Sequence, residues 1–272
     1  MTAKLTTVTP QRVVPLFAVG SRRSLRIVER NARFFRRSWM LLVSGFFEPV
    51  FYLLSLGIGL NHLIGPIVVG GHEVSYAAFV APALLATSAM NGALMDATMN
   101  LYFKLRIAHA YDAVLATPLG PDDVALGELT WCVLRSALYS TLFLVVMVVL
   151  GYTSSPLVVL CLPAAVLMGL AFGAAGMATT TYLRSWQDFD LVNLAVMPMF
   201  LFSATFYPIT VYPGWLQLVV RVTPLYQGVA LSRACALGEL SWSSLGHVAY
   251  LAIVAAVGYT VVARRIRSLL AS

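Results

Sequence analysis

KLRIAHAYDAVLATPLGPDDVALGE, residues 104–128, is a polar and charged segment set between two long apolar runs. It carries Lys104, Arg106, His109, Asp112, Asp122, Asp123 and Glu128, a density of charge that places the segment in water. Residues 107–116 have helical character and stop at Thr117-Pro118-Leu119-Gly120-Pro121, because proline lacks the amide hydrogen that a continuing helix needs. A stubby helix ended by two prolines and a glycine is a shape for docking onto a partner. A solvated connector has the same composition. On both sides of this segment the chain alternates membrane-length apolar blocks with short connectors.

The chain has 272 residues, 60% of them hydrophobic and 11% charged, with a mean hydropathy of +0.83. That composition excludes a soluble globular domain. A spanning helix needs roughly 20 mostly apolar residues, and six blocks qualify, at about 39–63, 77–103, 129–152, 157–183, 191–209 and 245–263. They are continuously apolar and lack the two-residue alternation of barrel strands. The expected fold is an all-α polytopic membrane protein: residues 1–21 a flexible cytoplasmic N-terminus, and 22–272 one transmembrane domain with six spans.

Nine of the 18 Lys and Arg residues precede the first span, and Arg264, Arg265 and Arg267 follow the last. The loop at 61–76 and the turn at 153–156 have none, the central loop has Lys104 and Arg106, and the turn after the fourth span has Arg184. The positive-inside rule therefore places both termini, the central loop and the Arg184 turn in the cytoplasm. Arginines flanking spans are explained by topology and anionic lipid, so no nucleic-acid partner is expected. The basic opening has no short apolar block with a cleavage site and does not read as a leader.

From Arg22 to Trp39, the residues Leu25, Val28, Ala32, Phe35 and Trp39 recur at three- and four-residue steps. They draw an apolar stripe on an arginine-rich helix at 22–38, as in helices that lie in the membrane interface; a helix packed on a soluble partner shows the same stripe. Span one holds Glu48-Pro49, and a carboxylate at that depth faces the protein interior or a water-filled path. Asn91, Asp96 and Asn100 form a polar set on span two, and Arg135 of span three is placed to snorkel. Gly169 and Gly173 make a G-x-x-x-G packing motif in span four. Past span five, short apolar pieces broken at Pro213-Gly214 and Thr223-Pro224 read as a re-entrant outer hairpin at 211–238; the alternative, one distorted spanning helix, gives seven spans and puts the C-terminal arginines outside, against the positive-inside rule.

No enzyme constellation stands out. The four histidines are isolated, no G-x-S-x-G elbow occurs, and neither of the two lysines lies in a phosphate-binding loop. No catalytic residue and no metal site is expected, and the three cysteines form no C-x-x-C pair. An ATP-driven role therefore requires a separate nucleotide-binding polypeptide. A membrane-embedded enzyme acting on lipid or peptide is the alternative, with Glu48 and Asp96 the one pair available to it.

Several motifs recur here in a familiar order. They are Glu48-Pro49 with Tyr52, Leu56-Gly57-Ile58-Gly59-Leu60, Tyr76 with Phe79, Ala86-Thr87-Ser88-Ala89-Met90, Leu115-Ala116-Thr117-Pro118-Leu119, Leu126-Gly127-Glu128, Tyr207-Pro208, and Thr223-Pro224-Leu225 with Arg233. In their order and spacing over residues 30–267 the chain resembles the permease subunits of type-2 ATP-binding-cassette exporters. The resemblance is nearest to the nodulation-factor (lipo-chitooligosaccharide) exporter permeases and their drug-efflux relatives.

That resemblance implies six spans, an interfacial N-terminal helix, a cytoplasmic coupling helix between spans two and three, and the outer hairpin before span six. It implies a bacterial plasma-membrane protein working with a second permease copy or paralogue, membrane lipid, and ATPase subunits that carry the ATP and Mg; no cofactor is expected in this chain. ATPase coupling then falls to Ala108, Tyr111, Asp112, Leu115, Thr117 and Pro118. Glu48, Tyr52, Asn91 and Asp96 fall on the substrate path, and Tyr207, Pro208, Pro224 and Arg233 at the outer gate. The implied cargo is amphiphilic: a lipid-linked oligosaccharide, an envelope lipid or a drug.

Overall fold

The computed structural model describes residues 23–270 apart from 38, 70, 71 and 154, so the flexible segment expected at 1–21 lies outside the described residues. The chain runs α1 (Ser24–Arg37), α2 (Trp39–Gly59), α3 (Asn61–Ile64), a hairpin of β1 (Ile67–Val69) and β2 (His72–Val74), and α4 (Tyr76–Met95). It continues through α5 (Ala110–Leu115), α6 (Pro121–Val149), α7 (Cys161–Thr180), α8 (Phe189–Phe202), α9 (Gly214–Val222), α10 (Pro224–Leu237) and α11 (Trp242–Leu270). The hairpin is antiparallel, with Val68 opposite Glu73.

Among the described residues four helical stretches are long and apolar enough to cross a membrane: Tyr76–Ile107, Pro121–Val149, Pro156–Thr180 and Trp242–Leu270. Within α2, which has 21 residues, the described apolar stretch is Phe47–Gly57, and α8 has 14 residues. The run at 191–209 is not one helix. It stops at Phe202, and the chain turns through Ser203, Ala204 and Thr205, all fully buried, with Ala204 in the left-handed region at φ 58°. Arg233 explains the stop. Its Nη2 donates to the Ala204 carbonyl at 2.9 Å and its Nε to the Phe79 carbonyl at 3.3 Å, while its guanidinium lies 3.9 Å from the Phe79 ring centre.

α4 is the central helix of the bundle, buried along most of its length. Small residues allow its neighbours to close in. A Cβ on Gly169 of α7 would meet Ser136 Cβ of α6 at 2.7 Å, and one on Gly173 would meet Cys132 Cβ at 3.1 Å. Ser136 Oγ donates across the same seam to the Ala165 carbonyl at 3.1 Å. This is how membrane helices gain packing where lipid removes the hydrophobic drive.

The amphipathic α1 lies against α6, but its buried face is Ser24, Ile27, Asn31 and Phe35. Leu25 and Ala32 of the expected stripe stay exposed and Val28 is half-buried. The reason is local: a Cβ on Gly127 would stand 2.5 Å from Ile27 Cβ, so the two helices meet at their closest where α6 has no side chain. At the other end of the chain Arg267 grips Asp122 through Nε (2.7 Å) and Nη2 (2.8 Å), tying α11 to the first turn of α6.

Overpacking the α6–α7 seam has a defined cost. Gly169→Val is expected to destabilise the protein by about 1–3 kcal/mol, read as a lower melting temperature in mild detergent. Gly246→Ala, where nothing lies within 4 Å, should leave it unchanged or higher.

Candidate functional site

Four elements meet on the carboxylate of Glu128, which is 2% exposed. Oε1 accepts from Arg30 Nη2 and from the Tyr111 hydroxyl, each at 2.9 Å. Oε2 accepts from Asn31 Nδ2 at 2.9 Å and Lys104 Nζ at 2.7 Å. Lys104 also reaches Asn31 Oδ1 at 3.1 Å. One carboxylate thus joins α1, the cytoplasm-facing tail expected of α4, the short helix α5 and the start of α6. A buried charge is stable only with such saturation, because desolvation is otherwise uncompensated.

This arrangement corrects two expectations. Glu128 and Lys104 do not stand in water with the rest of the 104–128 segment. Tyr111 is turned inward beneath α5, 2% exposed, and cannot belong to a docking face. Burial, and then the neighbouring Glu128 carboxylate, hold the Tyr111 phenol well above its usual range, so it remains a donor. The rest of the segment does point outward: Ala108, Asp112, Thr117 and Pro118 are exposed and Leu115 is half-buried. His109, in the left-handed region at φ 46°, turns the chain into α5.

A cavity of about 360 Å³ lies between α2, α4, α6 and α8, within the roughly 300–1,000 Å³ of small-molecule sites. Glu48 and Tyr52 line it from α2 and Asn91 from α4. Much of the remaining wall is apolar, with Leu84, Met90 and Leu94 facing Val192, Val196 and Phe200. At one end Tyr52, Phe200 and Phe206 form an aromatic cluster, with ring centres 5.3–6.5 Å apart. At the other, Phe35 of α1 lies 4.6 Å from the Arg135 guanidinium.

Asp96 is not part of the wall. Its Oδ2 accepts from Arg135 Nη1 at 2.8 Å and its Oδ1 from the Asn100 amide. Asp96 opens a π-helical turn, Asp96–Asn100, in which the backbone widens, a feature frequent at functional sites. Arg135 does not snorkel. It is 4% exposed, also donates to the Tyr139 hydroxyl, and leaves its Nε without a partner. Glu48 and Asp96 therefore do not share one wall, as a two-carboxylate enzyme would need.

Of the expected outer set, Arg233 holds the end of α8 to the start of α4, while Tyr207 is exposed and Pro208 half-buried. Pro224 begins α10, where Thr223 Oγ1 accepts from the Tyr226 amide at 3.4 Å.

Residues 24–237 match the family described as ABC-2 type transporter. The chain belongs to that family. It is 34% identical to Nodulation protein J of Rhizobium leguminosarum bv. trifolii, over 76% of this chain and 78% of that one. It is 33% identical to Nodulation protein J of Rhizobium meliloti (strain 1021), over 74% of each. With the protein of R. leguminosarum bv. viciae it shares 28% identity over 91% of this chain and 95% of the other. This chain is accordingly a multi-pass membrane permease of the ABC-2 type.

Breaking the Asp96–Arg135 pair from one side leaves a buried charge alone. Asp96→Asn is expected to cost on the order of 3–5 kcal/mol, and Asp96→Leu combined with Arg135→Met to recover much of that loss. Thermal melts of the three proteins in one detergent check both statements.

Proposed function

We propose that this permease is the translocating subunit of an ATP-driven exporter of an amphiphile, with ATP and Mg bound by a separate ATPase. The observation that carries the reading is the short helix α5, exposed on one side and fastened through buried Tyr111 to Glu128 on the other. Force applied to α5 by a nucleotide-binding partner passes directly to α1, to the tail of α4 and to α6. α6 lines the cavity about two and three turns further along, at Arg135 and Tyr139, and α4 lines it from Leu84 to Met95.

In this reading Ala108, Asp112, Leu115, Thr117 and Pro118 form the docking face, and Tyr111 transmits. Glu48, Tyr52 and Asn91 lie on the substrate path, with Asp96 positioning Arg135 behind it. Arg233, with Tyr207, Pro208 and Pro224, holds the outer gate, next to the aromatic cluster of Tyr52, Phe200 and Phe206. The permease works beside a second copy or a paralogue. It has six spans, counting α2 and α8, and an interfacial α1 in contact with membrane lipid. α9 and α10 form a re-entrant hairpin.

Both termini face the cytoplasm of a bacterial plasma membrane. Arg30, Lys104, Arg265 and Arg267 all act at the end of the bundle where α5 lies, in line with the positive-inside rule. The apolar wall interrupted by a few polar groups suits an amphiphilic cargo. The resemblance to nodulation-factor exporter permeases puts a lipid-linked oligosaccharide among the candidates, beside an envelope lipid or a drug.

Exposed and buried positions of α5 should fail differently. Asp112→Arg with Leu115→Asp is expected to lose an ATPase subunit that co-purifies with the wild-type chain in mild detergent. Tyr111→Phe is expected to keep that subunit but to lower the cargo moved per ATP hydrolysed. Loss of the ATPase in Tyr111→Phe alone, or its retention in the double variant, contradicts the assignment.

A further inference from the structure

The cavity between α2, α4, α6 and α8 has a simple charge inventory. Among the described residues one carboxylate and one guanidinium line it, those of Glu48 and Arg135. Arg135 is already neutralised: Asp96 faces its Nη1 at 2.8 Å, and Asn100 holds the other Asp96 oxygen. Glu48 is different. It is exposed on the cavity side of α2 and makes no ion pair or hydrogen bond among the described residues. Among the described residues no cation on the wall pairs with it. The cavity therefore presents one carboxylate without a partner, set in apolar surroundings where electrostatic attraction acts over longer distances than in water.

We propose that Glu48 selects the head group of the cargo, and that the cavity takes cationic amphiphiles in preference to anionic ones. The inference rests on the reading of this cavity as the substrate path and narrows it. A protonated or quaternary amine docks at Glu48 while its apolar body lies along Met90, Leu94, Val196 and Phe200. An anionic head meets the uncompensated carboxylate and finds Arg135 occupied by Asp96. Asn91 and Asn193 hydrogen-bond to neutral parts of either ligand and do not discriminate by charge. A carboxylate within the membrane is costly when unpaired, and a cationic ligand relieves that cost in the loaded state only.

The test uses two fluorescent amphiphiles with the same acyl chain and dye, one ending in trimethylammonium and the other in sulfonate. Both are titrated onto the full chain in phosphatidylcholine nanodiscs, with partition into empty nanodiscs subtracted. The wild type is expected to bind the trimethylammonium probe at least about tenfold more tightly, a difference of ~1.4 kcal/mol. Glu48→Gln, which keeps shape and hydrogen bonding, should bring the two probes level, and Glu48→Lys should reverse the order. Equal binding of both probes by the wild type overturns charge selection and leaves the cavity as a substrate path. A preference that survives Glu48→Gln overturns the assignment to this residue. Binding of neither probe above empty nanodiscs overturns both the preference and the substrate-path reading beneath it.

Discussion

The buried carboxylate of Glu128 is the interaction on which the end of the bundle carrying α5 depends. Its two oxygens each take two donors, from Arg30 and Tyr111 on one and from Asn31 and Lys104 on the other. A carboxylate has about four acceptor sites, so none is left for water. Single hydrogen bonds to a charged group contribute roughly 1.5–3 kcal/mol each, and desolvation removes much of that gain. The net stability from the cluster is therefore modest. Its larger effect is specificity: helices α1 and α5 have one place to sit, and either one displaced leaves a charge without its donors.

The same helix carries the second buried charge. Arg135 follows Glu128 by seven residues, two turns of α6, and so shares its face. Val124, Glu128, Cys132, Arg135 and Tyr139 recur at three- and four-residue steps, and all are buried. A rotation or tilt of α6 started at Glu128 moves Arg135 and Tyr139, which line the cavity. The π-helical turn at Asp96–Asn100, directly after α4, lies opposite, where the backbone widens beside Arg135. Coupling between the α5 surface and the cavity needs no longer chain of contacts than this.

Much of the architecture was legible in the sequence, because membrane-length apolar runs and proline breaks are strong local signals. The two short helices meeting at Thr223 and Pro224 follow directly from them, while the helix expected at 129–152 begins earlier, at Pro121, inside the segment read as a polar connector. The charged residues were harder to place. Glu128 was assigned to water because it closes a polar segment, yet it faces the core because Gly127 beside it admits α1. Its helical register with Arg135 was the available signal. Tyr111 was given an ATPase-coupling role by the resemblance alone, and nothing local tells which side of so short a helix turns inward. The end of α8 at Phe202 was masked by a continuous apolar run, and depends on Arg233, 31 residues further on.

Glu128 holds α1 and α5 as one unit. Hydrogen exchange on the full chain, wild type against Glu128→Gln, reads this coupling. Amides in Ser24–Arg37 and in Ala110–Leu115 are expected to exchange faster together, by about tenfold or more, ~1.4 kcal/mol of lost protection. Faster exchange in only one of the two segments, or in neither while the variant stays folded, would contradict it.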